Sequence, residues 1–84
     1  MTGEDKTVTV KYFAMFRESA GVDSESVGTT ATTAAELFAQ LADRHQSHEP
    51  LHHCKVAIND RMADWSSPLQ DGDVVLLFPP VAGG

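Results

Sequence analysis

The chain has 84 residues, 42% of them apolar and 21% charged, with 12 acidic side chains against 6 basic ones and a formal net charge of −6. That length suits one small domain whose modest core leaves little room for a substrate cavity, which favours a carrier, a binding module or a subunit over an enzyme acting alone. Lys6, Lys11, Arg17, Arg44, Lys55 and Arg61 are scattered singly, which argues against nucleic acid or an anionic membrane surface as partner, since both are held by clustered cations. The net negative charge favours a basic protein partner.

Residues 1–7 read as a polar, disordered segment, 8–78 as the domain and 79–84 as a flexible tail. The opening MTGEDK lacks the basic-then-apolar character of a secretory signal, and no apolar run reaches membrane-spanning length. Cys54 is the only cysteine, so no internal disulfide forms. The expected location is the cytoplasm.

The stretch VTVKYF (8–13) alternates as a strand, with Val8, Val10 and Tyr12 on one face and Thr9, Lys11 and Phe13 on the other. RESAGVDSES (17–26) reads as a turn-rich connection leading to a short second strand at SVGT, the two strands forming a loose hairpin. TTAAELFAQLADRH (32–45) predicts a helix. Thr33 and Glu36 form a capping box, and Ala34, Leu37, Phe38, Leu41 and Ala42 fall on one apolar stripe. HQSHEPLHH (45–53) is an irregular connection broken by Pro50. CKVAIND (54–60) predicts a strand ending in a polar turn, and 61–65 a short edge strand. In LQDGDVVLLF (69–78) a tight Asp-Gly-Asp turn feeds a continuously apolar strand.

The first and last strands, being the most apolar, are expected at the centre and parallel, with the helix as crossover. One helix covers only one side of a sheet. With Val75 and Leu77 turned toward it, Val74, Leu76 and Phe78 point away, as does Phe13 on the neighbouring strand. Such an uncovered apolar patch reads as a protein-binding face.

The segment after that strand, PPVAGG (79–84), is unusual for a fraying end. Pro79 and Pro80 keep the backbone extended and forbid helix. The six residues reach about 20 Å when fully extended. Val81 suits an apolar socket, and Ala82, Gly83 and Gly84 grow progressively thinner, so that another protein can close around the chain. The terminal carboxylate, with an ordinary pKa of about 3.5, is ionised at neutral pH and a poor acyl electrophile. Acyl transfer from it requires activation, and the chain has neither a P-loop pattern nor a glycine-rich strand-to-helix loop to supply it. The activating enzyme is then a separate protein.

VKYFAMFRESAG near the start and AINDRMADWSSPLQDGDVVLLFPPVAGG at the end resemble the small subunit of molybdopterin synthase over nearly the whole domain, from about residue 8 to 84. The Asp-Gly-Asp turn, the five apolar residues Val74 to Phe78 and the Pro-Pro-Val-x-Gly-Gly ending carry the resemblance. It implies an α+β, ubiquitin-like β-grasp fold: a mixed sheet of four to five strands on one main helix with an extended tail. It also implies that Gly84 is adenylated by a separate ATP-dependent, ubiquitin-activating-like enzyme and converted to a thiocarboxylate with sulfur from a donor protein. The chain would bind no cofactor and not be catalytic by itself. Its tail, Pro79, Pro80, Val81, Ala82, Gly83 and Gly84, would enter the active site of the large synthase subunit, within a heterotetramer, and deliver sulfur to cyclic pyranopterin monophosphate, two deliveries making the molybdopterin dithiolene. Phe13, Met62 and Phe78, with Leu76 beside them, map onto the family's docking surface, and Arg17 onto an arginine close to it. A thiamine-type sulfur carrier, a ubiquitin-like protein modifier and a non-covalent binding module using the Phe13/Phe78 face remain the alternatives.

His45, His48, His52, His53 and Cys54 match no standard zinc spacing, and Pro50 breaks the helical geometry that would align them, so no metal site is expected. Cys54 reads as a structural thiol, Trp65 as a packing residue, and Arg17 with Glu18 as a solvated ion pair.

Overall fold

The computed structural model describes residues 6–13, 15–45 and 54–79. Seven elements follow one another: β1 (Lys6–Tyr12), α1 (Met15–Ala20), β2 (Ser24–Thr29), α2 (Ala34–His45), β3 (Lys55–Ile58), β4 (Arg61–Ala63) and β5 (Val74–Phe78). The strands form one sheet in the order β2-β1-β5-β3-β4. β1 and β5 run parallel, with Val10 opposite Val75 and Tyr12 opposite Leu77. The other pairings are antiparallel. This mixed sheet, centred on β1 and β5 and backed by one long helix, is the expected β-grasp architecture.

Strand alternation builds the core. Val8, Val10 and Tyr12 of β1, Val56 of β3, and Val75 and Leu77 of β5 are buried against Ala34, Leu37, Phe38 and Leu41 of α2. The start of α2 is capped much as the spacing predicts. Thr33 Oγ1 accepts the Glu36 amide at 3.3 Å, while the Glu36 carboxylate accepts from the amide and hydroxyl of Thr32 at 2.8 and 3.1 Å. The carboxylate thus reaches one residue further back than in the simple reciprocal box. Those bonds from Thr32 hold the exposed Glu36 carboxyl below its ordinary pKa.

Three sequence expectations are corrected. First, the turn-rich stretch 17–26 contains a helix, α1, and a longer strand than SVGT. The helix has six residues, too few to show a 3.6-residue period. Its reason is tertiary: Phe16 is buried, edge-to-face on Phe38 at 6.1 Å. Gly21, at φ +80°, closes α1 by donating its amide to the Arg17 carbonyl at 2.9 Å, the left-handed stop that glycine makes without strain. Second, Arg17 lies 3.7 Å from Asp23, both side chains well exposed; the ion pair expected with Glu18 is replaced by this one across the turn. β1 also starts at Lys6, two residues before the expected strand, because Lys6 and Thr7 pair with Thr29 and Gly28 of β2.

The Asp-Gly-Asp turn sets the register of β5. Gly72, at φ +90°, donates its amide to the Thr7 carbonyl at 2.8 Å, and Asp71 accepts the Thr7 amide at 2.8 Å. The buried Asp73 carboxylate accepts from the Asn59 side chain at 2.9 Å and the Gln70 amide at 2.8 Å. Asn59 in turn accepts the Val74 amide at 2.9 Å. Asn59 and Asp60 both have positive φ, 54° and 70°, the two-residue turn whose twist suits a hairpin such as β3–β4. Since a one-residue slip would turn every β5 side chain to the wrong face, this knot determines what the strand presents.

At the other end of the sheet, the Glu25 carboxylate of β2 accepts from Tyr12 Oη at 2.5 Å and lies 2.8 Å from His45 Nε2 on α2. Burial pushes the Glu25 carboxyl up, but the hydrogen bonds from Tyr12 and His45 and the charge of Arg44 outweigh it and hold it below its ordinary value. Burial, and then the bond to Glu25, push the Tyr12 hydroxyl well above the usual phenol range. This cluster fastens the C-terminal turn of α2 to the β1–β2 hairpin.

Candidate functional site

The face of the sheet turned away from α2 is the feature that the core does not consume. Register defines its composition, because residues opposite one another share a face. One cross-strand row runs Ser24, Lys11, Leu76, Ala57, Met62 across all five strands. Beside it, Phe78 stands opposite Lys55, and Val74 opposite Thr9. No helix among the described residues covers this side. Val74, Leu76 and Phe78 are half-buried by their neighbours, whereas Met62 is 66% and Phe13 46% exposed. On the same strand Val75 and Leu77 are fully buried on the opposite face. The alternation expected for β5 holds at every position.

Phe13 follows β1 directly, and its carbonyl accepts the Phe16 amide at 3.1 Å as α1 begins. It lines a groove of about 300 Å³ with Lys11, Arg17, Asp23 and Ser24. Arg17 therefore does lie at the border of the apolar patch, carried there by the helix that sequence reasoning missed. Lys11 and Lys55 are two further members of the face. Lys11 was legible in the alternation of β1, on the side of Thr9 and Phe13. Lys55 was not, because its place follows from pairing with Phe78.

β5 is hydrogen-bonded on both sides, so the chain leaves the sheet from its centre. Pro79, half-buried, follows Phe78 immediately. Pro80, Val81, Ala82, Gly83 and Gly84 lie outside the described residues, as do His48, His52 and His53. Of the histidine-rich stretch, the His45 ring is engaged by Glu25, and Cys54 is buried in the core cluster, as a structural thiol would be. Trp65 packs on Phe38, with ring centroids 5.1 Å apart. The described residues contain no cluster of metal-ligating side chains, and no helix among them is long and apolar enough to cross a membrane.

The cavity between α2 and the end of the sheet, lined by Tyr12, Phe16, Phe38, Leu41, His45 and Leu77, has a volume of about 20 Å³, room for a single water. The domain supplies a rigid apolar face and, next to it, the strand that leads into the terminal segment.

The sequence model of the ThiS family matches residues 10–84. The chain is 34% identical over 80 residues to the molybdopterin synthase sulfur carrier subunit of Escherichia coli, covering 92% of this chain and 99% of that one. Among solved structures, a putative molybdopterin converting factor subunit 1 from Pyrococcus furiosus superposes with a TM-score of 0.76 at 35% identity, over 90% of this chain and 99% of the other. Subunit 1 in the complex of subunits 1 and 2 of molybdopterin-converting factor from Helicobacter pylori is 37% identical, with a TM-score of 0.62 over 93% and 99%. The small archaeal modifier protein 1 of Haloferax volcanii is 26% identical with a TM-score of 0.77, over 90% and 99%.

Proposed function

Because the chain belongs to the ThiS family, we propose that it is the sulfur-carrier subunit of a molybdopterin synthase, charged at the carboxylate of Gly84 and discharged inside a larger partner subunit. The observation that carries this reading is the Phe-Pro-Pro-Val-Ala-Gly-Gly ending set on the central strand of the sheet, directly beside an uncovered apolar face. The names of the relatives from E. coli and P. furiosus support the pathway. The H. pylori complex supports a second, larger subunit as partner.

The chemistry has three balanced steps. An ATP-dependent enzyme transfers AMP to the Gly84 carboxylate and releases pyrophosphate, which turns a poor electrophile into a mixed anhydride. A sulfur nucleophile from a donor protein attacks the carbonyl and expels AMP, leaving a thiocarboxylate after its own sulfur bond is cleaved reductively by a thiol. In the partner, the thiocarboxylate sulfur attacks a carbon of the pterin precursor, cyclic pyranopterin monophosphate, forming a carbon–sulfur bond as a carbon–oxygen bond there breaks. That oxygen leaves as water or as the freed phosphate oxygen, and water hydrolyses the resulting thioester to return the carboxylate. Two such deliveries complete a dithiolene. Tethering keeps the sulfur at high effective concentration and prevents its escape. The carrier itself binds no cofactor on this reading, ATP being consumed by the activating enzyme. The proposed setting is the cytoplasm, and the proposed assembly pairs two carriers with two large subunits.

Incubation with the activating enzyme, ATP and a sulfur donor is expected to exchange one oxygen of Gly84 for sulfur. Intact-mass spectrometry with fragmentation of the C-terminal peptide reads this directly, and an unchanged terminus in the presence of an enzyme active on another carrier would refute the charging step. The likeness to an archaeal modifier protein supports a second reading, in which the same activated glycine is passed to lysine amines. High-mass conjugates in cell extracts that disappear on deleting Gly84 would favour it.

A further inference from the structure

The open sheet face is not merely apolar. Lys11 lies opposite Leu76 on one side of β5, and Lys55 lies opposite Phe78 on the other. With neighbouring strands about 4.8 Å apart, the two lysines straddle the Leu76–Phe78 pair diagonally, across about 10 Å of sheet. Both are exposed. Arg17 adds a third cation at the Phe13 edge, in the same groove as Lys11. The remaining strand positions on this face carry threonine, serine and glycine on β1 and β2, and Val74, Ala57 and Met62 on β5, β3 and β4. No carboxylate is among them, in a chain with 12 acidic residues and a net charge of −6. Asp23, which lines the groove with Lys11 and Arg17, is paired with Arg17 at 3.7 Å.

From this segregation we infer that Lys11 and Lys55 are specificity-determining residues of the docking face, selecting a partner whose contact surface sets carboxylates around an apolar centre. The inference rests on the docking role proposed for this face and adds the charge of the partner. An acidic protein repels another acidic protein at long range, and a local basic pair on the contact face reverses that field where it matters. The apolar centre supplies affinity, while the lysines orient the encounter and reject partners with a basic rim.

The test is stopped-flow association with the purified large subunit encoded in the same genome, over a range of salt. For the wild type, the association rate is expected to fall about tenfold between low and high salt. Replacing both lysines, K11E with K55E, is expected to slow association at low salt by about 10- to 100-fold with a much smaller effect on dissociation. Arg61→Glu, an exposed residue of the edge strand β4 opposite Ile58, is the control for a change of total charge and is expected to leave the rate within about twofold. Reversing a carboxylate on the partner is expected to restore binding to the doubly reversed carrier. An association rate insensitive to salt, or equal losses for Arg61→Glu and Lys11→Glu, would overturn the inference. Phe78→Asp separates the two claims. If it abolishes binding while the lysine variants change nothing, docking through this face stands and the electrostatic selection falls. If it too changes nothing, the docking face itself is wrong. Circular dichroism of each variant establishes that the fold is retained.

Discussion

Removing Gly84 is expected to abolish sulfur transfer and to leave the folded body as it was. The expectation follows from where stability and chemistry reside along β5. Among the described residues, the last fully buried apolar side chain is Leu77, and the last sheet pairing is that of Phe78 with Lys55. Residue 84 lies six positions beyond that pair and is no part of the described core. Its loss draws the reactive carbonyl back by about 3.5 Å, as much as the whole separation of reacting atoms in a productive complex. A misplacement of about 1 Å already costs on the order of a hundredfold in rate, so a full residue takes transfer below detection. Single-turnover synthesis with the truncated chain measures the loss, and thermal unfolding by circular dichroism checks the fold. Adding one residue after Gly84 blocks charging by moving the glycine off the terminus, and is expected to be equally inactive. A truncated or unprocessed extended chain that transfers sulfur within about tenfold of wild type would contradict a terminal-glycine mechanism.

The second large effect concerns docking, and β5 provides its own internal control. Phe78→Asp places a charge in the middle of the open face, where a partner would have to desolvate it. Affinity for the large subunit is expected to weaken by about 100-fold or more, with little change in the thermal midpoint because the side chain is only half-buried in the free chain. Leu77→Ala, one position away, does the opposite. Its side chain is 2% exposed in the core, and truncation is expected to cost about 2–5 kcal/mol of stability. Isothermal titration and thermal melts of the two variants separate the faces. If Phe78→Asp destabilised the fold as much as Leu77→Ala and left affinity intact, the open face would be a part of the core and not a docking surface.

Strand parity is why so much of this face was legible in the sequence. VVLLF is apolar on both sides and the outer face of VTVKYF ends in Phe13, while a single long helix covers only one side, so Phe13, Leu76 and Phe78 followed from counting. Met62 required the pairing of β4 with β3, which places it opposite Ala57, and came only from family resemblance. The connection after β1 defeated sequence reading because α1 is anchored by a buried aromatic, Phe16, packed edge-to-face on Phe38. Neither partner marks its neighbour in a one-dimensional pattern. The same holds for the Tyr12–Glu25–His45 cluster, whose members are brought together from β1, β2 and α2. Lys55 was visible as a residue but not as a neighbour of Phe78. Charge on a sheet face is set by register, and register here depends on the Asp73–Asn59 knot.

If this protein conveys sulfur on a tether, the charged species must be discharged by its partner at the expense of that sulfur alone. Prepared with sulfur on Gly84 and mixed in a single turnover with the large subunit and cyclic pyranopterin monophosphate, the chain is expected to return to the carboxylate mass as sulfur appears in the pterin product, one atom for each chain consumed. Isotopically labelled sulfur on the terminus makes the transfer explicit. Product formed with its sulfur drawn from elsewhere while the terminal label stays on Gly84 would contradict the account.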